Sequence, residues 1–172
     1  MMKEPKILVS TNVDVSKRIF KADPNGPEIA MDGTRGHYGD WEIQEVCNLL
    51  TNAGRDFLHL QGYQTSGLGT NGGNYIALTS DSAAAAATDT TLTGEITNLG
   101  LNRQQGTLAH TVGQTTSTIT KTFTATGTSN AVQKTALFTL SSNGTMVHEA
   151  TFSSVNLANN DQLQIQWTVT LS

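Results

Sequence analysis

A chain of 172 residues with 37% hydrophobic side chains can bury one core of ordinary size, and its formal charge of −4 gives it no electrostatic attraction to nucleic acid or to an anionic membrane. The charge is unevenly placed: 16 of the 24 Asp, Glu, Lys and Arg residues lie in residues 1–62, and eight are spread over the rest. A single Cys47 excludes an intramolecular disulfide, and no apolar run approaches the roughly 20 residues of a membrane-spanning helix.

The first residues, Met1-Met2-Lys3-Glu4-Pro5-Lys6, begin like a signal peptide, but only Ile7-Leu8-Val9 follow as an apolar core, so the expectation is a soluble chain made in a cytoplasm. A short strand is expected at residues 6–10, with breakers at Asp23-Pro24-Asn25-Gly26-Pro27 and Asp32-Gly33. Ile7, Val9, Val13, Val15, Ile19, Phe20, Ile29 and Met31 are too many apolar side chains for a free tail and too irregular for a core of their own. They must be covered, either by the protein's own body or by a neighbouring subunit around which an extended arm wraps.

Asp40 has the chemistry of a helix N-cap, and Ile43, Val46, Cys47 and Leu50 recur with a period near 3.6, which predicts a helix over about 41–60. Cys47 is then a small buried hydrophobe. Trp41 opens this segment and is a candidate intersubunit anchor, because aromatic side chains dominate contacts between chains. Gln61 to Gly73 reads as a Gly-rich loop, so residues 1–62 are expected to form an arm plus helix and residues 63–172 a separate body.

That body alternates apolar and polar side chains. Residues 74–79, 101–112, 116–126, 131–141, 145–152 and 162–171 follow the period of two of a strand, separated by Gly- and Asn-rich turns. The clearest run, Leu163 to Leu171, has a dry face of Leu163, Ile165, Trp167, Val169 and Leu171 and a wet face of Gln and Thr. Thr118, Thr120, Thr122, Thr124 and Thr126 form a one-sided threonine ladder, Asn143-Gly144 has the composition of a tight hairpin turn, and Ala83 to Ala87 are too few to nucleate a helix. The fold expected is mainly β: an antiparallel β-sandwich or jelly-roll-like domain with an extended N-terminal arm and one α-helix.

Chemistry-bearing patterns are sparse. His37, His59, His110 and His148 form no metal-ligand spacing, and His148 and Glu149 point to opposite faces of one strand. Asp81, Asp89 and Asp161 sit where Asp stabilises turns, and nothing selects a catalytic carboxylate pair among them, Glu95 and Glu149. Gly67 to Gly73 lacks the Lys-Ser/Thr ending of a phosphate loop and precedes a strand. The expectation is no catalytic residue, no metal, no cofactor and no enzyme.

From Asn52 onward the chain resembles small structural proteins of tailed bacteriophages. The resemblance is carried, in order, by Asn52-Ala53-Gly54-Arg55-Asp56-Phe57-Leu58, Asn74-Tyr75-Ile76-Ala77-Leu78, Asp89 to Ile96, Lys121-Thr122-Phe123-Thr124-Ala125, Val132 to Phe138, Ala150-Thr151-Phe152 and Trp167-Thr168-Val169-Thr170. It implies an accessory virion component, either a head decoration (cement) protein or a neck, tail or fibre-attachment part. The implied location is the virion, the implied partners are the major capsid protein or other virion proteins, and a homo-oligomer, a trimer among them, fits the resemblance. On this expectation Ile7, Val9, Ile19, Phe20 and Trp41 make the subunit contacts. A carbohydrate-binding module fits less well, because the strands expose Thr and Gln where such a module needs aromatic rings.

Overall fold

The computed structural model describes residues 9–63 and 72–171. In chain order the first elements are β1 (Val9–Arg18), β2 (Phe20–Ala22), β3 (Glu28–Ile29), β4 (Arg35–Tyr38), β5 (Glu42–Cys47), β6 (Leu49–Leu50) and the helix α1 (Asn52–Tyr63). There follow β7 (Tyr75–Thr79), β8 (Gln104–Gln105), β9 (Thr107–His110), β10 (Thr116–Thr124), β11 (Ser129–Phe138), β12 (Met146–Leu157) and β13 (Gln162–Leu171).

The alternation at the C-terminus builds the strand it predicts. Leu163, Ile165 and Trp167 are fully buried on one face of β13, and Gln162, Gln164 and Gln166 lie half-buried on the other. β13 pairs antiparallel with β1 and with β10, so that Val13, Trp167 and Ile119 lie side by side across three strands. The front sheet runs β5-β1-β13-β10-β9 and the back sheet β6-β12-β11-β7-β8. Their dry faces meet in one cluster containing Val13, Val15, Ile119, Phe123, Leu163, Ile165 and Trp167 from the front and Ile76, Leu78, Leu137, Ala150 and Phe152 from the back. This is an antiparallel two-sheet sandwich.

Both flanks of the sandwich are closed by chain that changes sheet. On one flank β5 belongs to the front and β6, one residue later, to the back; on the other, β8 belongs to the back and β9, after Gly106, to the front. Residues 101–112 were expected as one strand, and Gly106 divides them. A Cβ there would meet the Ile119 side chain at 2.7 Å, so only glycine lets the backbone turn the corner this close to the core.

The expected helix over 41–60 is corrected. Residues 42–50 are strand, and the helix begins at Asn52. The apolar residues Ile43, Val46 and Cys47 have the spacing of a helix, and pairing overrides it: β5 covers an edge of β1 that would otherwise be unpaired, from Asn12 opposite Cys47 to Lys17 opposite Glu42. Val46 then packs on the core beside Val13, while Ile43 and Cys47 face outward and are exposed. The N-cap is Thr51 rather than Asp40: its Oγ1 accepts the Gly54 N–H at 2.9 Å and donates to the Met146 carbonyl at 2.6 Å.

The extended arm is corrected over the described part of its length. β1 lies inside the front sheet with Val13 and Val15 at most 1% exposed, so these apolar side chains are satisfied within the chain. The two sheets run across the expected division at residues 62/63. Residues 19–38 form a three-stranded annex, β2-β4-β3, at the end of β1. Asn143 and Gly144 do adopt left-handed φ (54° and 77°), but within a wider loop over 139–145, closed by the Thr139 N–H on the Thr145 carbonyl at 3.1 Å.

His148 is a polar group inside this core. It is 3% exposed, its ring lies 5.8 Å from that of Trp167, and its Nδ1 has no hydrogen-bond partner. Burial holds its pKa down, from 6.5 to about 4. The folded state therefore keeps the ring neutral while the unfolded chain takes up a proton below pH 6.5, so stability falls as pH drops from about 6.5 to 4, by on the order of 3 kcal/mol. Urea unfolding at pH 7 and at pH 4.5 should show this loss, and His148→Phe should remove most of it.

Candidate functional site

The outer face of the back sheet is where buried charge collects. Here α1 and the loop between β7 and β8 fold over the sheet, tied together by the Asn52 N–H on the Ala87 carbonyl at 2.7 Å. The helix sits so close that a Cβ on Gly54 would meet the Val147 carbonyl oxygen at 2.0 Å. The alanines at 83–87 form no helix, and Leu92 packs into a second, smaller cluster with Ala77, Ala136, Phe138 and Met146.

Within this layer Lys134 of β11 is 2% exposed and Glu149 of β12 is 1% exposed. The Lys134 Nζ lies 2.8 Å from Asp81 Oδ2 and 3.2 Å from Glu149 Oε1. Burial alone would lower the Lys134 pKa, but hydrogen bonds and charge from the two carboxylates outweigh it and raise it. Burial raises the pKa of Glu149, and the nearby Asp89 adds to this against the pull of Lys134. Asp81 is held low, first by its hydrogen bond from Lys134. The arrangement is one cation between two carboxylates, Asp81 pushed toward its ionised form by Lys134 and Glu149 pushed by burial toward its protonated one.

Arg103 is a second internal fastener. Its guanidinium makes a two-pronged pair with Glu95, with Nε 2.9 Å from Oε1, and its Nη1 donates to the carbonyls of Leu140 at 3.1 Å and Asn143 at 2.7 Å. It also stacks 3.5 Å from the centre of the Phe138 ring. One side chain thus joins the residue 80–103 excursion to the β11–β12 loop.

The annex is fastened by a different set. The Arg18 guanidinium lies 4.1 Å from the Tyr38 ring centre and 4.7 Å from that of Trp41, and its Nε donates to Gln162 Oε1 at 2.8 Å. Phe20 meets Tyr38 edge-on at 5.1 Å. Asp32 accepts hydrogen bonds from the side chains of Asn159 and Asn160, each at 2.9 Å, and from the Thr34 N–H; these bring its pKa to about 2. Asp161, 4% exposed, accepts from the Phe20 and Ala158 N–H groups.

The outer face of the front sheet is broad, polar and nearly free of charge. Thr118, Thr120, Thr122 and Thr124 stand beside Thr168, Gln166, Gln164 and Gln162, and these beside Asn12, Asp14, Ser16 and Arg18. The rows are cross-linked: Gln164 Nε2 donates to Thr122 Oγ1 at 3.0 Å, Thr120 Oγ1 to Gln166 Oε1 at 3.3 Å, and Gln162 Nε2 to Thr124 Oγ1 at 3.4 Å. At one flank a shallow cleft of about 230 Å³ opens between the sheets, with Val15 and Val155 among its lining and Lys17 and Glu42 beside them.

Of the residues expected to contact a neighbour, Ile7 lies outside the described residues and Val9 pairs through its backbone with Leu171. Phe20 and Trp41 are half-buried in the annex cluster, with the Trp41 ring under Arg18; Ile19 is 42% exposed. The structure thus gathers Phe20, Tyr38 and Trp41 around Arg18 but leaves Ile19 outside. Beside Ile19, Ile29 (63%) and Met31 (72%) are the annex's exposed apolar side chains. Sequence reasoning missed Lys134 and Arg103. The available signal was a lone cation in each of two otherwise uncharged stretches, which are costly to bury unless paired.

Among the described residues no three His, Cys, Asp or Glu side chains group so as to hold a metal ion. Arg103→Ala removes the partner of Glu95 and of two carbonyls together, so it should cost about 3 kcal/mol in urea unfolding, and Arg103→Lys should recover little because a point charge cannot serve all four acceptors. No family model, curated protein or solved structure matches the chain.

Proposed function

We propose that this chain is a non-enzymatic structural protein of a tailed-bacteriophage virion, a decoration protein whose jelly-roll-like body sits as an oligomer on the assembled head shell, with the major capsid protein as its partner. The ordered resemblance from Asn52 to Thr170 supports a virion component. The observation that carries the contact surface is the annex: Ile19, Ile29 and Met31 stay 42–72% exposed while Val13 and Val15 of the strand before it are covered in the protein's own core. Exposed apolar side chains of this kind mark binding surfaces when they gather. Ile43 (68%) on β5 and Leu108 (59%) on β9 are further exposed apolar side chains, on the two opposite edge strands of the front sheet.

The mechanism is burial, at about 25 cal/mol for each Å² of apolar surface removed from water, repeated over many symmetric copies. An arm that wraps a neighbour is no longer needed for it. Deleting residues 1–38 removes β1 from the interior of the front sheet, and such a truncation reports on folding rather than attachment.

A neck, tail or fibre-attachment position is the second reading, and copy number separates the two. Quantitative mass spectrometry of purified particles should find on the order of hundreds of copies for a shell protein, against about a dozen or fewer for a part on the tail axis. Ile29→Asp with Met31→Asp should lower incorporation while leaving the thermal unfolding of the isolated protein unchanged. Particles that lack the chain altogether would contradict both positions.

A further inference from the structure

The geometry points to an amide cross-link forming spontaneously between the Lys134 Nζ and the Cγ of Asp81, with Glu149 relaying the protons. Three placements argue for it. First, the reacting groups are already in contact: Nζ is 2.8 Å from Asp81 Oδ2, which puts Cγ within about 4 Å of the nitrogen, near the roughly 3–3.5 Å of a reactive approach. Second, the strands hold them there. Lys134 lies opposite Thr79, the last residue of β7, and Asp81 is two residues further on, braced by the Ala83 N–H at 3.2 Å on its Oδ1.

Third, a proton carrier stands beside the nitrogen. Glu149 Oε1 is 3.2 Å from Nζ, the residue is 1% exposed, and its Oε2 is buried without a hydrogen-bond partner. A buried carboxylate with one oxygen on the nucleophile is placed to take a proton from it and pass that proton on. A purely structural ion pair would need only one of these two carboxylates.

The step balances without an outside reagent. Passing one proton from Lys134 to Asp81 turns the ion pair into a neutral amine and a neutral acid; burial favours this exchange, and the hydrogen bond and charge between the two groups oppose it. The nitrogen lone pair then attacks Cγ, and Glu149, 3.2 Å from Nζ, takes one proton from the nitrogen. Glu149 next gives that proton to the hydroxyl of the adduct, which leaves as water while the other oxygen re-forms the carbonyl. The Asp81 side chain keeps 26% of its surface exposed, which gives the water a way out. The product joins β11 to the segment after β7 across 53 residues of sequence.

The test is the intact mass of the purified full-length chain under denaturing conditions. The expected mass is that of the sequence less one water, and trypsin should fail to cut after Lys134, leaving the segment that carries Asp81 joined to the one that carries Lys134. Lys134→Arg, Asp81→Ala and Glu149→Gln should each restore the full sequence mass. A wild-type chain at full mass overturns the proposal directly, whatever the variants do. Loss of water that persists in Lys134→Arg, or trypsin cutting normally after Lys134 in the wild type, overturns it as well.

Discussion

The pairing of β1 with β13 joins the first described strand of the chain to the last, and the rest of the molecule is arranged around that contact. Ten residues on each side run antiparallel without a break, from Val9 opposite Leu171 to Arg18 opposite Gln162. Because side chains alternate, a shift of β1 by one residue would turn Val13 and Val15 out to solvent while Ile165 and Trp167 stay inside, so the hydrophobic effect itself specifies the register. Once β1 is in place its free edge calls for a partner, which is why residues 42–47 become strand instead of helix. The chain leaves that strand into β6 and the back sheet, and Thr51 then starts the helix over the back sheet's outer face.

A domain with this little charge in its main body spends it internally. Asp81, Asp89, Glu95, Arg103, Lys134, Glu149 and Asp161 all act as fasteners, either to one another or to backbone groups of loops. The surface left over is the hydrogen-bonded Thr and Gln face of the front sheet together with the annex. On the proposed function, such a body would meet a protein shell by shape and apolar contact. The same economy creates the Lys134–Asp81–Glu149 cluster, where buried charges sit closely enough to react.

The period of two made most of the sandwich legible in advance. β7, β10 and β13 fall where the alternation places them, within two residues at either end. β12 continues to Leu157, past the expected end at 152, with Val155 and Leu157 buried. What could not be read was anything decided between distant segments. Ile43, Val46 and Cys47 have the spacing of a helix, and only the unpaired edge of β1 overrides it. Gly106 looks like any glycine in a strand until Ile119 is known to lie against it. Asp81 and Glu149 were readable as a turn residue and a sheet residue, but their meeting at Lys134 depends on strand order, which no local pattern carries. The annex was visible as breakers and scattered apolar residues, though not its clamp on Arg18.

Hydrogen–deuterium exchange of the intact protein tests the central claim, that the N-terminal strand belongs to the protein's own core, most directly. If β1 is held between β5 and β13 as described, its amides from Asn12 to Lys17 should be as strongly protected as those of β13 and should open with them in a single unfolding event. Exchange of β1 at the rate of an unstructured segment, with β13 still protected, would contradict the account and return the segment to the role of an arm seeking a neighbour.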